Sequence, residues 1–106
     1  MKEENKKVPS IRVKQRIMLK RTEYTCHFFD GFSTVDYKNP KVAQETYKRM
    51  KEAKQKVKLE GNTLFEYRPK LKAQEIYDLY IKDIEKGVEQ AKKSKGLIKI
   101  KYELIE

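Results

Sequence analysis

The sequence predicts an α+β domain: a mainly antiparallel sheet with two helices packed on one face, in the order β-β-β-α-β-α-β. Three observations predict it. Apolar and polar residues alternate over residues 10–20 and again over 97–105, which is the period of a half-buried strand. Asp30-Gly31 lies between two apolar runs, a hairpin signal. Two later stretches, introduced by Asn39-Pro40 and by Pro69, carry apolar stripes at helical spacing. A helix with one apolar face has to bury it, and the sheet offers one apolar side for both.

The elements follow in order. Residues 1–9 are a polar arm ending at Pro9, with Lys2, Lys6 and Lys7 against Glu3 and Glu4; it is expected to be flexible and basic. The single α+β domain then occupies 10–106. In its first strand Ile11, Val13, Ile17 and Leu19 fall on one face, and Arg12, Lys14, Arg16, Met18 and Lys20 on the other. Arg21-Thr22 makes a turn to a strand over 23–29. Asp30-Gly31, read as a type I′ turn with both residues at positive φ, leads to a strand over 32–37. Asn39 is a helix N-cap with Pro40 at the first helical position. Val42, Ala43, Thr46, Tyr47, Met50, Ala53 and Val57 form the stripe, and Gly61 ends it. Residues 62–68 make a short strand with Phe65 and Tyr67 on one side. The second helix carries Ala73, Ile76, Tyr77, Tyr80, Ile81, Ile84, Val88 and Ala91, with lysines at its end and Gly96 as its stop. The closing strand puts Ile98, Ile100, Tyr102 and Leu104 on one face.

Composition narrows the class of function. The chain has 106 residues, of which 40% are charged, against roughly 25% in an ordinary domain. Twenty-six Lys and Arg against 16 Asp and Glu give a net charge of +10. That excess attracts polyanions: nucleic acid, a lipid headgroup surface or an acidic protein patch. It also serves solubility alone. One cysteine, Cys26, excludes an internal disulfide. No apolar run nears the roughly 18 residues of a membrane span, and the charged start does not resemble a signal peptide. A cytoplasmic protein with no membrane partner is expected.

Following the two turns across three strands gives a register. Phe29 then faces Phe32 and His27 faces Thr34; Arg16 faces His27 and Lys14 faces Phe29. One face collects Ile11, Val13, Ile17, Leu19, Tyr24, Cys26, Phe28, Val35 and Tyr37 as a core. The other shows Arg12, Lys14, Arg16 and Lys20 beside His27, Phe29 and Phe32. Cations hold phosphate and exposed rings stack on bases, a combination common on RNA-binding sheets. The β-β-β-α order of the first 60 residues, with Gly31-Phe32-Ser33-Thr34 ahead of a helix, is similar in gross shape to the sheet-type DNA-binding arms of tyrosine integrases. Four common residues do not assign a family. The plainer readings are that the rings pack on one another, that lysines guard a strand edge, or that a ring patch rimmed with charge meets a protein.

The first helix adds a secondary basic surface, Lys48, Arg49, Lys51, Lys54 and Lys58, either a solvated helix face or a diffuse phosphate-attracting one. One His and one Cys on opposite faces of a strand make neither a metal site nor a nucleophile pair. No glycine-rich loop precedes a helix. No enzyme, cofactor or small-molecule substrate is expected. The expected function is a non-catalytic nucleic-acid-binding protein, for RNA or DNA, using the basic and aromatic sheet face. The alternative is a protein-binding factor using the same face against an acidic protein surface: an inhibitor, an adaptor, or a subunit of a ribonucleoprotein or viral assembly.

Overall fold

The structure, a computed structural model, describes residues 8–105. The expected arm lies outside these residues up to Lys7. Eight elements follow: β1 (Ser10–Ile17), β2 (Lys20–Phe29), β3 (Phe32–Tyr37), α1 (Pro40–Glu52), β4 (Val57–Glu60), β5 (Thr63–Tyr67), α2 (Ala73–Lys93) and β6 (Ile98–Ile105). All six strands join one sheet in the order β4-β5-β3-β2-β1-β6, and every pairing is antiparallel. The α+β class and both helices on one side are as the sequence predicts. One strand is added to the expected order. The apolar stripe of the first helix stops short, and Val57 belongs to β4, which forms a hairpin with β5.

The core lies between sheet and helices. Ile11, Val13, Cys26, Phe28, Val35, Leu64, Ile76 and Ile84 are buried there together. α1 covers β4, β5 and β3; α2 covers β6, β2 and β3. Asn39 caps α1 by accepting a hydrogen bond from the Lys41 N–H at 2.9 Å. The α2 backbone passes close over β6: a Cβ on Gly87 would sit 2.7 Å from Ile100 Cδ1. No helix is long and apolar enough to cross a membrane.

Two turns differ from expectation. At Asp30-Gly31 only Gly31 takes a positive φ, of 88°, so the loop is not type I′. It is held instead by tertiary bonds. The Asp30 carboxylate accepts from the Ala73 N–H at 2.9 Å, placing an anion at the start of α2. The Gly31 N–H donates to the Leu71 carbonyl at 2.8 Å. The first hairpin turns at Met18-Leu19, not at Arg21-Thr22, and Met18 takes φ 57°. The expected turn would set Val13 opposite Asp30 and leave the start of β1 without a partner strand. The observed register pairs Ile11 with Cys26 and Val13 with Tyr24, so β1 finds partners in β2 along its length. The cost is an exposed hairpin tip, with Met18 at 68% and Leu19 at 89% exposure. Leu19 is therefore not a core residue, and Ile17 is half-exposed beside it.

Candidate functional site

Strand alternation decides which side chains face away from the helices. Shifting the β1–β2 turn by three residues changes register but keeps parity, so Arg12, Lys14 and Arg16 still share the open face with His27, Phe29 and Phe32. Their neighbours change. Lys14 lies opposite Glu23 and not Phe29; Arg16 lies opposite Arg21 and not His27. A six-residue displacement along a strand is about 20 Å. The expected single patch is thus two separate regions. Lys20 leaves the site altogether: it pairs with Ile17 and shares its face, the helix side.

The first region is a cationic block on β2, β1 and β6. Arg12, Lys14 and Arg16 stand in the middle strand. Lys101 is opposite Lys14, and Arg16 has Lys99 opposite it on one side and Arg21 on the other. These are three like-charge cross-strand pairs. Such pairs oppose folding, each by roughly 0.2–1 kcal/mol. Two acids stand within the block: Glu103 is opposite Arg12 and accepts from it at 3.1 Å, and Glu23 is opposite Lys14 with its carboxylate 3.5 Å from Lys38 Nζ. A shallow depression of about 310 Å³ is lined by Lys14, Arg16, Arg21, Lys99, Lys101 and Glu23.

The second region is a row of rings on β2, β3 and β5. Phe29, Phe32 and Tyr67 are successive cross-strand partners. Phe29 and Phe32 stack at 4.7 Å between centroids and 14° between planes. Phe32 lies 6.2 Å from Tyr67 and 6.4 Å from Phe65. Near-parallel rings on adjacent strands stand side by side, so part of each face is taken by its neighbour. Phe29 at 43% and Tyr67 at 39% remain open to solvent. Lys58 belongs to this region and not to α1: it sits on β4 with Nζ 5.8 Å from the Phe65 centroid. Lys48, Arg49 and Lys51 are exposed on α1, and Lys54 follows it. Between the regions, His27 is held by Ser10 Oγ at 2.8 Å on Nδ1 and by Asp36 at 3.2 Å on Nε2, which ties β1, β2 and β3 together.

Sequence reasoning missed Arg21, Lys99, Lys101, Phe65 and Tyr67 as members of this face. Alternation already put Lys99 and Lys101 opposite Ile98 and Ile100 in direction. No local signal says that β6 borders β1 or that β5 borders β3.

The helix side holds a different feature, a cleft of about 430 Å³ between α1 and α2 over the sheet. Glu66, 6% exposed, lies in its floor. The Tyr80 phenol donates to the Glu66 carboxylate, and the Arg68 guanidinium is 4.0 Å away. Burial, and then the neighbouring carboxylate of Glu66, push the Tyr80 phenol well above its ordinary range. Burial likewise raises the Tyr24 phenol and the Cys26 thiol, so Cys26 is a small core residue with little thiolate character. Leu79, off the α2 stripe and 41% exposed, lines this cleft. Comparison of the chain with protein-family models, with curated proteins and with solved structures found no match.

Proposed function

We propose that this is a non-catalytic nucleic-acid-binding protein of the cytosol that lays a single strand across the open face of its sheet. The cationic block takes the phosphate backbone, and the ring row meets bases. The observation that carries this reading is the set of three like-charge pairs, Lys14–Lys101, Arg16–Lys99 and Arg16–Arg21. All three are set across hydrogen-bonded strands; Arg16 has a cation as its partner on both sides, while Lys14 has Lys101 on one side and Glu23 on the other. Repulsion of this kind is relieved when a polyanion lies on it, and released counterions add to the affinity. Phe29 lies about 13 Å along β2 from the level of Arg12 and about 26 Å from Arg21, a span suited to a site of a few nucleotides. Exposed rings beside cations on an open sheet face suit unstacked bases, which favours a single strand over duplex.

The test is a fluorescence titration with single-stranded and duplex RNA and DNA at two salt concentrations. Five phosphate contacts predict a slope of log K on log salt near −3.5 for single strands. A salt-independent affinity, or none, removes the cationic block from the reading. One observation favours the protein-binding alternative: the facing sides of Phe29 and Phe32 are already stacked on each other, which suits an apolar anchor as well as a base. Phe32→Ala separates the two. It weakens single-strand binding if bases use the rings, and leaves it unchanged if the ring row meets a protein.

A further inference from the structure

The sheet ends at β6, whose outer edge has no partner among the described residues. We propose that this edge pairs, antiparallel and about a two-fold axis at Tyr102, with the same edge of a second copy of the chain.

The direction of the backbone groups follows from the hairpin. In a two-residue loop the flanking pair, Ile17 and Lys20, is hydrogen-bonded, so odd residues of β1 bond to β2 and even residues bond to β6. The even residues of β1 face odd residues of β6. The Met18 N–H bond to the Leu97 carbonyl continues the same parity. The even residues Ile98, Ile100, Tyr102 and Leu104 therefore aim their N–H and C=O groups outward. A symmetric antiparallel partner has to match even residues with even ones.

Three such registers bring the middle of the strand together, and charge chooses among them. With Glu103 on the axis, that acid meets its own copy. With Lys101 on the axis, two lysines meet. With Tyr102 on the axis, Lys101 of each copy faces Glu103 of the other, at the close non-hydrogen-bonded positions. On the helix side the same register sets Ile100 against Leu104 and Tyr102 against Tyr102. Those side chains need cover: Ile100 packs under α2, whereas Tyr102 is 36% and Leu104 50% exposed outside the core cluster. An eight-residue edge that is apolar on one side and self-complementary in charge on the other is a template for its own kind. Pairing would also set two cationic blocks next to each other, since β6 borders β1 in each copy. The dimer does not depend on nucleic acid, so it is tested without it.

The experiment is light scattering and sedimentation of the full chain, free of nucleic acid, over a hundredfold range of concentration. A monomer–dimer equilibrium is expected. Lys101→Glu and Glu103→Lys should each raise the dimer dissociation constant at least tenfold, and the double charge swap should restore it. Tyr102→Cys should yield a covalent dimer on mild oxidation, because the hydrogen-bonded pair on the axis has a Cα separation of about 5.5 Å and Cys26 is buried. A monomer throughout the range, or a dimer that the swap fails to restore, overturns the proposal and leaves Lys99 and Lys101 as guards of a solitary edge.

Discussion

The two regions of the open face are built on opposite energetics. The ring row on β2, β3 and β5 is held by its own side chains: four aromatic groups within 6.4 Å of a neighbour cover one another across the strands. The cationic block on β2, β1 and β6 is held despite its side chains, since three like-charge pairs face each other across hydrogen-bonded strands. The first region contributes to stability whatever it binds. The second opposes stability until something anionic arrives. A surface that works against its own fold is better evidence of a ligand than one that supports it.

Substitutions should separate the two. The largest effect is expected from Lys14→Glu, Arg16→Glu and Lys99→Glu together, which should lower single-strand affinity at least about 100-fold and flatten its salt dependence. Circular dichroism should show the fold intact; unchanged affinity would end the argument for the block. Phe32→Ala, at the centre of the ring row, should destabilise the chain by about 2–3 kcal/mol in urea unfolding, part of the full core value because the rings are half-open. A loss under about 0.5 kcal/mol would show that the ring row does not hold the sheet.

The helix side supplies a control that touches neither region. Tyr80→Phe should cost about 1–3 kcal/mol at neutral pH, because the buried Glu66 loses its donor. The Cys26 thiol and the phenols of Tyr24, Tyr37 and Tyr80 are raised in the folded state, so above about pH 9 for the thiol and about pH 10 for the phenols the unfolded chain loses protons that the folded one keeps. Their stabilisation is fully present below about pH 9 and falls as pH rises toward the folded values. Thermal melts from pH 8 to 11 should show the fall, and Tyr80→Phe should make it shallower. The smallest effect carries the opposite sign: Arg16→Gln should stabilise the chain by roughly 0.2–1 kcal/mol, by removing the member shared by two like-charge pairs. A destabilisation of that size would mean that the arginine stem packs on the sheet.

Much of the local architecture was legible. Asn39-Pro40 opened α1 because a capping side chain and a fixed φ act within a single turn. The α2 stripe emerged because helical spacing puts Ile76, Tyr80 and Ile84 on one face. The Arg21-Thr22 turn was not found where expected, since the alternation through Leu19 carries the strand pattern past the true turn at Met18-Leu19. Val57 looked like a last helical contact because a residue four or seven positions on cannot announce that the chain has already reversed.

What the sequence determined by itself was the face of the side chains within each strand; Lys20, beyond the true turn at Met18-Leu19, was the exception. Alternation in a strand is a matter of local backbone geometry, so Arg12, Lys14 and Arg16 share a side with Phe29 and Phe32 in any odd-sum register. Only the tertiary structure decided the distances. Which strand lies beside which depends on burying Ile11, Cys26, Val35 and Leu64 in one core between sheet and helices. That non-local requirement set β6 beside β1 and β5 beside β3, gathering cations at one end of the sheet and rings at the other.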